Sequence, residues 1–285
     1  MFLALTVLSL AAQDTTRNEF TLSAFRKLRS SATLGKVFYL TDPGREGLFI
    51  RDQAGGNSTD DSVMLLRTAD GILFRRLADQ GLINVKWFGA TGSGSTDDWH
   101  PIQKAINYIL NENYASRTLY FPPGNYLITK PLLIARPAGH TYQHCSINLA
   151  GPAGAKDLSM GAATILPAFS NTFAIGIQSG KGVLIKDLAI RGRFTFPNRL
   201  QAVQIDTLSF DQWADGSTRD NQRSPYSGIV IDPFSDPSAY PSPSDMYPGL
   251  QAWYLPGLGR GASTAVQITG CSITNFIVGR SKSVV

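Results

Sequence analysis

The sequence of 285 residues predicts an all-β fold, a parallel β-helix (solenoid) capped at its N-terminal end by one α-helix. Three observations favour this fold: a turn-rich composition, a recurring spacing of apolar residues, and one amphipathic helix that precedes the recurrences. Only 16% of the residues are charged, while 27 glycines and 16 prolines supply turns. The 43% apolar content is sufficient for a packed core.

The helix is expected between a glycine-rich turn and a series of short strands, within residues 85–133. Its apolar residues recur at the three- and four-residue spacing of one helical face: Ile102, Ala105, Ile106, Ile109 and Leu110. Thr96, Asp97 and Asp98 precede this face and supply oxygens that cap the first turn. A solenoid exposes apolar surface at its first coil, so a structural lid is the expected role of this helix.

Apolar residues recur at positions i, i+2, i+5 and i+7 in the second half of the chain. This spacing gives two short strands joined by a two-residue corner, as one coil of a β-solenoid requires. The copies are Val183, Ile185, Leu188 and Ile190; Val203, Ile205, Leu208 and Phe210; Val266, Ile268, Cys271 and Ile273; and a partial copy at Ile229, Ile231 and Phe234. Residues 146–149, 164–166 and 173–177 are expected strands of earlier coils. An antiparallel sandwich is the alternative, because alternation alone does not distinguish the two.

One stretch resembles the N-terminal signature of the pectate-lyase-like superfamily. The matching residues are Trp87-Phe88-Gly89-Ala90, Gly92, Gly94, Thr96-Asp97-Asp98, Ile102-Gln103, Ala105-Ile106, Leu119-Tyr120-Phe121-Pro122-Pro123-Gly124 and Tyr126. Ser93 departs from the signature, which usually has an acid there. The resemblance implies a right-handed parallel β-helix of the kind found in polysaccharide lyases, glycoside hydrolases and phage tailspikes. It indicates fold more firmly than reaction.

The expected organisation has three parts. Residues 1–13 resemble the hydrophobic core and cleavage region of a secretory signal peptide, with a buried N-terminal strand or helix as the alternative. Residues 14–84 read as a small β-rich module with one solvated face, in which Asp60 and Asp61 form a turn. Residues 85–285 form the β-helix domain, expected to be incomplete because no C-terminal cap is visible. A signal peptide implies an extracellular or cell-surface location, and no apolar run is long enough to span a bilayer.

Two long insertions, residues 191–227 and 233–263, carry the candidate substrate-binding residues. These are the aromatic residues Trp213, Tyr226, Tyr240, Tyr247, Trp253 and Tyr254. Aromatic rings on loops offer flat faces that stack on sugar rings, although the same rings can instead pack the loops onto the solenoid. Weak candidates for catalysis are Asp232, Asp236 and Asp206, for which turn formation is the alternative.

The predicted function is that of a secreted carbohydrate-active protein that cleaves a polysaccharide, acidic ones included, by hydrolysis or β-elimination. A non-catalytic carbohydrate-binding, adhesin or tailspike-like module is the alternative. The sequence has only two cysteines, far apart, and three histidines, so no metal site and no cofactor are predicted. Calcium is expected only if the protein is a lyase. The net charge is +5, but the lysines and arginines are scattered along the sequence and form no basic run, which does not favour nucleic acid as a partner. A homotrimer is compatible with the family resemblance.

Overall fold

The structure, a computed structural model, describes residues 18–29, 37–52, 59–78, 81–111, 117–135, 144–153, 161–169, 173–192, 227–232, 263–274 and 276. The chain divides into two compact units, Met1–Leu77 and Ala78–Val285. No helix in the described ranges is long and apolar enough to cross a membrane.

The N-terminal unit is a five-stranded sheet with one short helix. Its elements are β1 (Glu19–Phe20), α1 (Leu22–Arg26), β2 (Val37–Leu40), β3 (Gly47–Arg51), β4 (Leu65–Arg67) and β5 (Leu73–Arg76). The strand order is β1-β2-β3-β5-β4, with β1 parallel to β2 and the other pairs antiparallel. The predicted short strands of this module are confirmed.

One face of this sheet is buried by aromatic side chains. Phe25 of α1 stacks on Phe38 of β2 with ring centroids 4.1 Å apart, and Phe38 stacks in turn on Phe49 of β3 at 4.9 Å. Val37 and Tyr39 alternate with Phe38 along β2 and are exposed. The module therefore has one buried and one solvated face, as the alternation of its sequence predicts.

Asp60 and Asp61 organise the turn before β4. The Asp61 carboxylate accepts hydrogen bonds from the amides of Val63, Met64 and Leu65 at 2.8–2.9 Å. Asp60 accepts one from the amide of Ser62 at 2.7 Å and forms an ion pair with Arg26 at 2.9 Å. The turn role predicted for this pair is confirmed.

The described residues of the C-terminal unit form thirteen short strands and one long helix. In chain order these are β6 (Leu82–Asn84), β7 (Ser93–Asp97), α2 (Trp99–Asn111), β8 (Thr118–Tyr120), β9 (Gly124–Ile128), β10 (Leu132–Ile134), β11 (Cys145–Ala150), β12 (Ala163–Pro167), β13 (Phe173–Ile177), β14 (Gly180–Lys186), β15 (Ala189–Arg191), β16 (Ser227–Ile231), β17 (Thr264–Thr269) and β18 (Ser272–Thr274). A 3-10 turn, Val85–Phe88, follows β6.

The strands form three parallel sheets that the chain visits in a fixed order. The first sheet is β6-β8-β11-β14-β17, the second is β7-β9-β12-β15-β18, and the third is β10-β13-β16. Every pair in these sheets is parallel. The described residues thus trace coil 1 (β6, β7), coil 2 (β8–β10), coil 3 (β11–β13), coil 4 (β14–β16) and coil 5 (β17, β18). This is a parallel β-helix.

The predicted repeat at Val183 and Val266 coincides with the register of two neighbouring coils. Val183 pairs with Val266 and Ile185 with Ile268 in the first sheet, while Ile190 pairs with Ile273 in the second. Asp187 lies at the corner between the two strands of coil 4 with φ 54°, and its amide donates to the carbonyl of Thr269. The offsets are shared because each strand points every second side chain inward and the corner has a fixed length.

One detail of the predicted repeat changes. The partial copy at Ile229 and Ile231 was expected to be equivalent to the others, but β16 lies in the third sheet, where these residues pair with Ile175 and Ile177. Alternation of apolar residues does not identify the sheet to which a strand belongs, so this prediction was wrong. The copy at 203–210 lies outside the described residues. The strands expected at 146–149, 164–166 and 173–177 are present as β11, β12 and β13.

The first coil begins earlier than the predicted domain start at residue 85. Residues Leu82–Asn84 form β6 and pair in parallel with Thr118–Tyr120 of β8. Ile83 is completely buried in register with Leu119, so it belongs to the core of the solenoid. The division between the two units falls at Leu77 and Ala78, ahead of this strand.

The helix α2 buries the predicted apolar face completely: Ile102, Ala105, Ile106, Ile109 and Leu110 are all buried. Gln103 also contributes, at the edge of the third sheet. Its side-chain oxygen accepts from the amide of Leu133 in β10, and its side-chain nitrogen donates to the carbonyl of the same residue, both at 2.8 Å. The Gln103 side-chain amide thereby makes the two hydrogen bonds that a neighbouring strand would make to Leu133. The helix α2 covers the start of the solenoid.

Candidate functional site

The two insertions that carry the candidate aromatic residues flank one strand, β16 in coil 4: the first ends where β16 begins, and the second starts after β16 ends. Residues 193–226 lie between Gly192, which follows β15, and Ser227, where β16 begins. Residues 233–262 lie between Asp232, which follows β16, and Ser263, which precedes β17. The candidates Trp213, Tyr226, Tyr240, Tyr247, Trp253, Tyr254, Asp206 and Asp236 lie outside the described residues.

Close packing fixes the position of β16. A Cβ atom at Gly228 would lie 2.4 Å from Cγ2 of Ile273 and 3.2 Å from the ring of Phe276, so only glycine fits this site without a shift of its neighbours. The register with β13 places Ile229 beside Ile175 and Ile231 beside Ile177, both of which are completely buried. The bases of both insertions are therefore attached to the packed core of the solenoid.

Asp232 lies at the corner where the chain leaves the third sheet. Its Oδ1 accepts hydrogen bonds from the amide of Ser179 at 3.0 Å and from the hydroxyl of Ser263 at 2.7 Å. Its Oδ2 accepts from the amide of Ser263 at 2.7 Å. These bonds are what the turn-forming alternative requires. Catalysis by Asp232 remains a prediction, since its proposed partners Asp236 and Asp206 lie outside the described ranges.

The chain makes a tight turn at the corner below Asp232, where coil 3 ends and coil 4 begins. Gln178 and Ser179 connect β13 to β14, which begins at Gly180, and both residues are buried. Ser179 has φ 54°. The amide of Gly180 donates to the hydroxyl of Ser263 at 2.8 Å, which joins the two corners. Nothing in the sequence singles out Ser179 and Ser263, because the contact spans residues far apart along the chain.

Two exposed cations lie near the bases of the insertions. Lys181 is the second residue of β14 and is in register with Thr264, the residue that follows Ser263. Arg191 ends β15, directly before Gly192. The first insertion therefore starts, and the second ends, close to a positive charge, which attracts anionic groups.

The three predicted capping residues Thr96, Asp97 and Asp98 have different roles. Thr96 lies in β7. The Asp97 carboxylate accepts from the amide of Trp99, the first residue of α2, at 3.0 Å, and from the hydroxyl of Thr129 at 2.6 Å. Asp98 is completely buried and its carboxylate turns to the preceding loop instead of the helix.

Asp98 holds the glycine-rich turn of the signature. Its Oδ1 accepts from the amide of Thr91 at 2.7 Å and its Oδ2 accepts from the amide of Gly92 at 2.9 Å. A Cβ at Gly92 would lie 3.2 Å from the ring of Tyr126, so the turn packs closely on this ring. The sequence pattern alone placed Asp98 in the cap because an aspartate beside a helix start satisfies the same rule. The observed contacts make this acid a support for the turn.

The described residues offer no candidate metal centre. Within these ranges, no group of three His, Cys, Asp or Glu side chains is placed to hold a metal ion. Cys145 and Cys271 are free thiols. Cys145 is buried and donates to the carbonyl of Gln178 at 3.2 Å, while burial raises the pKa of the Cys271 thiol.

A family model described as rhamnogalacturonase A/epimerase, pectate lyase-like, matches residues 82–210. Its first matched residue is the first residue of β6, so the match begins where the solenoid begins. No curated protein sequence matches this chain.

Solved structures with the same fold include phage tailspikes. Full-length tailspike protein 2 of an Escherichia coli O157:H7 bacteriophage superposes with a TM-score of 0.51 at 16% identity over 90% of this chain and 27% of the tailspike. The enzymatically active domain of tailspike protein 2 of bacteriophage CBA120 gives a TM-score of 0.51 at 15% identity over 90% of this chain and 30% of that structure. The chain thus spans about a quarter to a third of their length. The two tailspike structures share the parallel β-helix fold of this chain, and over residues 82–210 the chain is similar to the pectate-lyase-like family model.

Proposed function

We propose that this chain is part of a secreted, carbohydrate-active β-helix protein whose substrate is a polysaccharide. The observation that carries the proposal is the placement of both aromatic-rich insertions at the two ends of β16. Two segments attached to the opposite ends of one short strand are able to contact one extended ligand. A glycan chain is such a ligand, and aromatic rings are the side chains that stack on its sugar faces.

The charge near β16 supports an acidic polysaccharide as the preferred substrate. Lys181 and Arg191 are exposed beside the two insertion bases. Uronate or other anionic groups would be attracted to both, most strongly at low ionic strength. The net charge of +5 acts in the same direction.

For catalysis, the proposal retains Asp232, Asp236 and Asp206 as candidates. Glycoside hydrolysis requires one carboxyl group to protonate the leaving oxygen and a second to activate water or attack the sugar, at a separation of about 5–10 Å. β-Elimination requires instead a base that removes the proton beside a uronate carboxyl group. The described residues contain no group of three acidic, His or Cys side chains that would hold calcium, so no step is assigned to that ion.

A second candidate is a non-catalytic glycan-binding or attachment module. The observation that favours it is the hydrogen bonding of Asp232, whose two carboxylate oxygens both accept bonds from the surrounding corner. An aspartate that holds a turn in this way is poorly available to protonate or activate a substrate. An extracellular location and a homotrimer belong to both versions of the proposal.

A panel of acidic and neutral polysaccharides tests the proposal. New reducing ends indicate a hydrolase, unsaturated uronates indicate a lyase, and retention without cleavage indicates a binding module. Trp253→Ala combined with Trp213→Ala is expected to weaken retention at least tenfold by the loss of two stacking rings, while Tyr39→Ala, an exposed aromatic residue of the N-terminal unit, leaves it unchanged. A chain that neither retains nor cleaves any glycan of the panel would contradict the proposal.

A further inference from the structure

The corner that contains Asp232 is the equivalent, one coil later, of the tight corner Gln178–Gly180. Ile231 is in register with Ile177 before the corner, and Thr264 is in register with Lys181 after it. Counting along both strands places Asp232 above Gln178 and Ser263 above Gly180. At the upper corner, the chain passes through residues 233–262 between Asp232 and Ser263. At the lower corner, a single residue, Ser179, separates Gln178 from Gly180, and the strands that follow the two corners are in register.

The two ends of this segment are also bonded to each other. The Asp232 carboxylate accepts from both the amide and the hydroxyl of Ser263 at 2.7 Å. It accepts from the amide of Ser179 as well, and the Ser263 hydroxyl accepts from the amide of Gly180. Two of these hydrogen bonds join the ends of the segment to each other, and the other two attach those ends to the corner below.

We infer that residues 233–262 are an insertion into a standard corner of the solenoid, and that Asp232 is the positioning residue that closes its base. The β-helix does not require the insertion in order to continue from coil 4 to coil 5. The strand pairs β13–β16 and β14–β17 hold the two flanking strands, and the Asp232 carboxylate joins their ends. The inference concerns the attachment of the segment. Its use as a glycan-binding element rests on the function proposed above.

The backbone of the lower corner determines how the insertion can be removed. Ser179 adopts φ 54°, a left-handed conformation that glycine adopts without steric cost. Replacement of residues 233–262 by one glycine between Asp232 and Ser263 reproduces the three-residue corner of the coil below. Direct joining of Asp232 to Ser263 leaves the corner one residue short, and a slip of one residue would turn the inward side chains of β17 outward.

The experiment compares three chains by far-UV circular dichroism and thermal unfolding: the full chain, the one-glycine excision and the direct excision. The one-glycine variant is expected to keep the β spectrum and a cooperative transition within about 5 °C of the full chain, because strand pairing is retained. The direct excision is expected to unfold at a clearly lower temperature. A one-glycine variant that does not fold, or two excised variants of equal stability, would overturn the inference.

Asp232→Asn in the full chain tests the positioning role without excision. Asparagine tolerates the positive φ of this residue, 52°, but offers one acceptor oxygen in place of two. The loss of one or two charge-assisted bonds is expected to lower the Tm by about 3–6 °C. The matched control is Asp187→Asn, at a positive-φ corner of the same coil that borders no insertion, and it is expected to lower the Tm less. An equal or smaller effect at Asp232 would argue against the positioning role.

Glycan retention by the one-glycine variant separates this inference from the proposed function. A folded variant that loses retention supports both. A folded variant that retains glycan as the full chain does leaves the insertion inference supported and contradicts the binding role proposed for Tyr240, Tyr247, Trp253 and Tyr254.

Discussion

Tyr126 shows how a single side chain connects the glycine-rich turn to the solenoid core. The ring is completely buried in β9 and meets Phe121 edge-on, with centroids 5.4 Å apart. Its hydroxyl donates to the carbonyl of Pro122 at 2.7 Å. Burial raises the pKa of Tyr126 well above its usual range, and the nearby charge of Asp98 adds to this effect. The folded protein therefore keeps this phenol neutral at a pH where the unfolded chain ionises it.

A pH dependence follows from this shift. Since the pKa of Tyr126 is raised in the folded state, its contribution to stability is complete below the ordinary tyrosine pKa of about 10 and is lost as the pH rises above that value. We expect the urea midpoint of the wild-type chain to fall between pH 8 and pH 11, and Tyr126→Phe to reduce that fall. Tyr39→Phe, on an exposed face, serves as the control and keeps the wild-type pH dependence. An unchanged fall in Tyr126→Phe would contradict the assignment.

At the scale of the element, α2 illustrates what a sequence pattern can and cannot predict. The spacing of Ile102, Ala105, Ile106, Ile109 and Leu110 predicted the helix and its buried face, because 3.6-residue periodicity is a local property. The partner of Gln103 was not predicted. Leu133, which its side chain binds, lies thirty positions further along the chain and belongs to a strand edge that only the coil geometry brings close.

The pairing of Gln103 with β10 predicts that this residue protects the edge of the third sheet. Gln103→Glu keeps the size of the side chain but removes the donor to the Leu133 carbonyl and brings a negative charge beside it. The carboxylate and the Leu133 carbonyl repel each other, so the side chain moves away from the strand edge and its oxygen no longer accepts from the Leu133 amide. We therefore expect faster hydrogen exchange at that amide and a loss of about 1–3 kcal/mol in the free energy of unfolding. Lys104→Gln, on the exposed side of α2, is the control and should change neither. Unaltered exchange at Leu133 in Gln103→Glu would show that the helix protects the edge by other contacts.

At the scale of the whole molecule, apolar columns run along the solenoid and explain which parts of the fold were predictable. Ile83, Leu119, Leu149, Ile185 and Ile268 follow one another in register through the five strands of the first sheet. Such columns repeat the same residue class at the same offset, so the sequence predicted the coils. It did not predict the corner at Asp232, since the residues that meet there are separated by the long insertion.

The same column yields a prediction about the last described coil. Ile185 in β14 is completely buried, whereas Ile268, its partner in β17, is 40% exposed. Removal of a buried isoleucine side chain costs about 2–5 kcal/mol, because contacts and burial are both lost. We expect Ile185→Ala to destabilise the chain by that amount in urea unfolding, and Ile268→Ala by about 1–2 kcal/mol, in proportion to its smaller burial. Equal losses at the two positions would show that the core side of β17 is as fully covered in solution as that of β14.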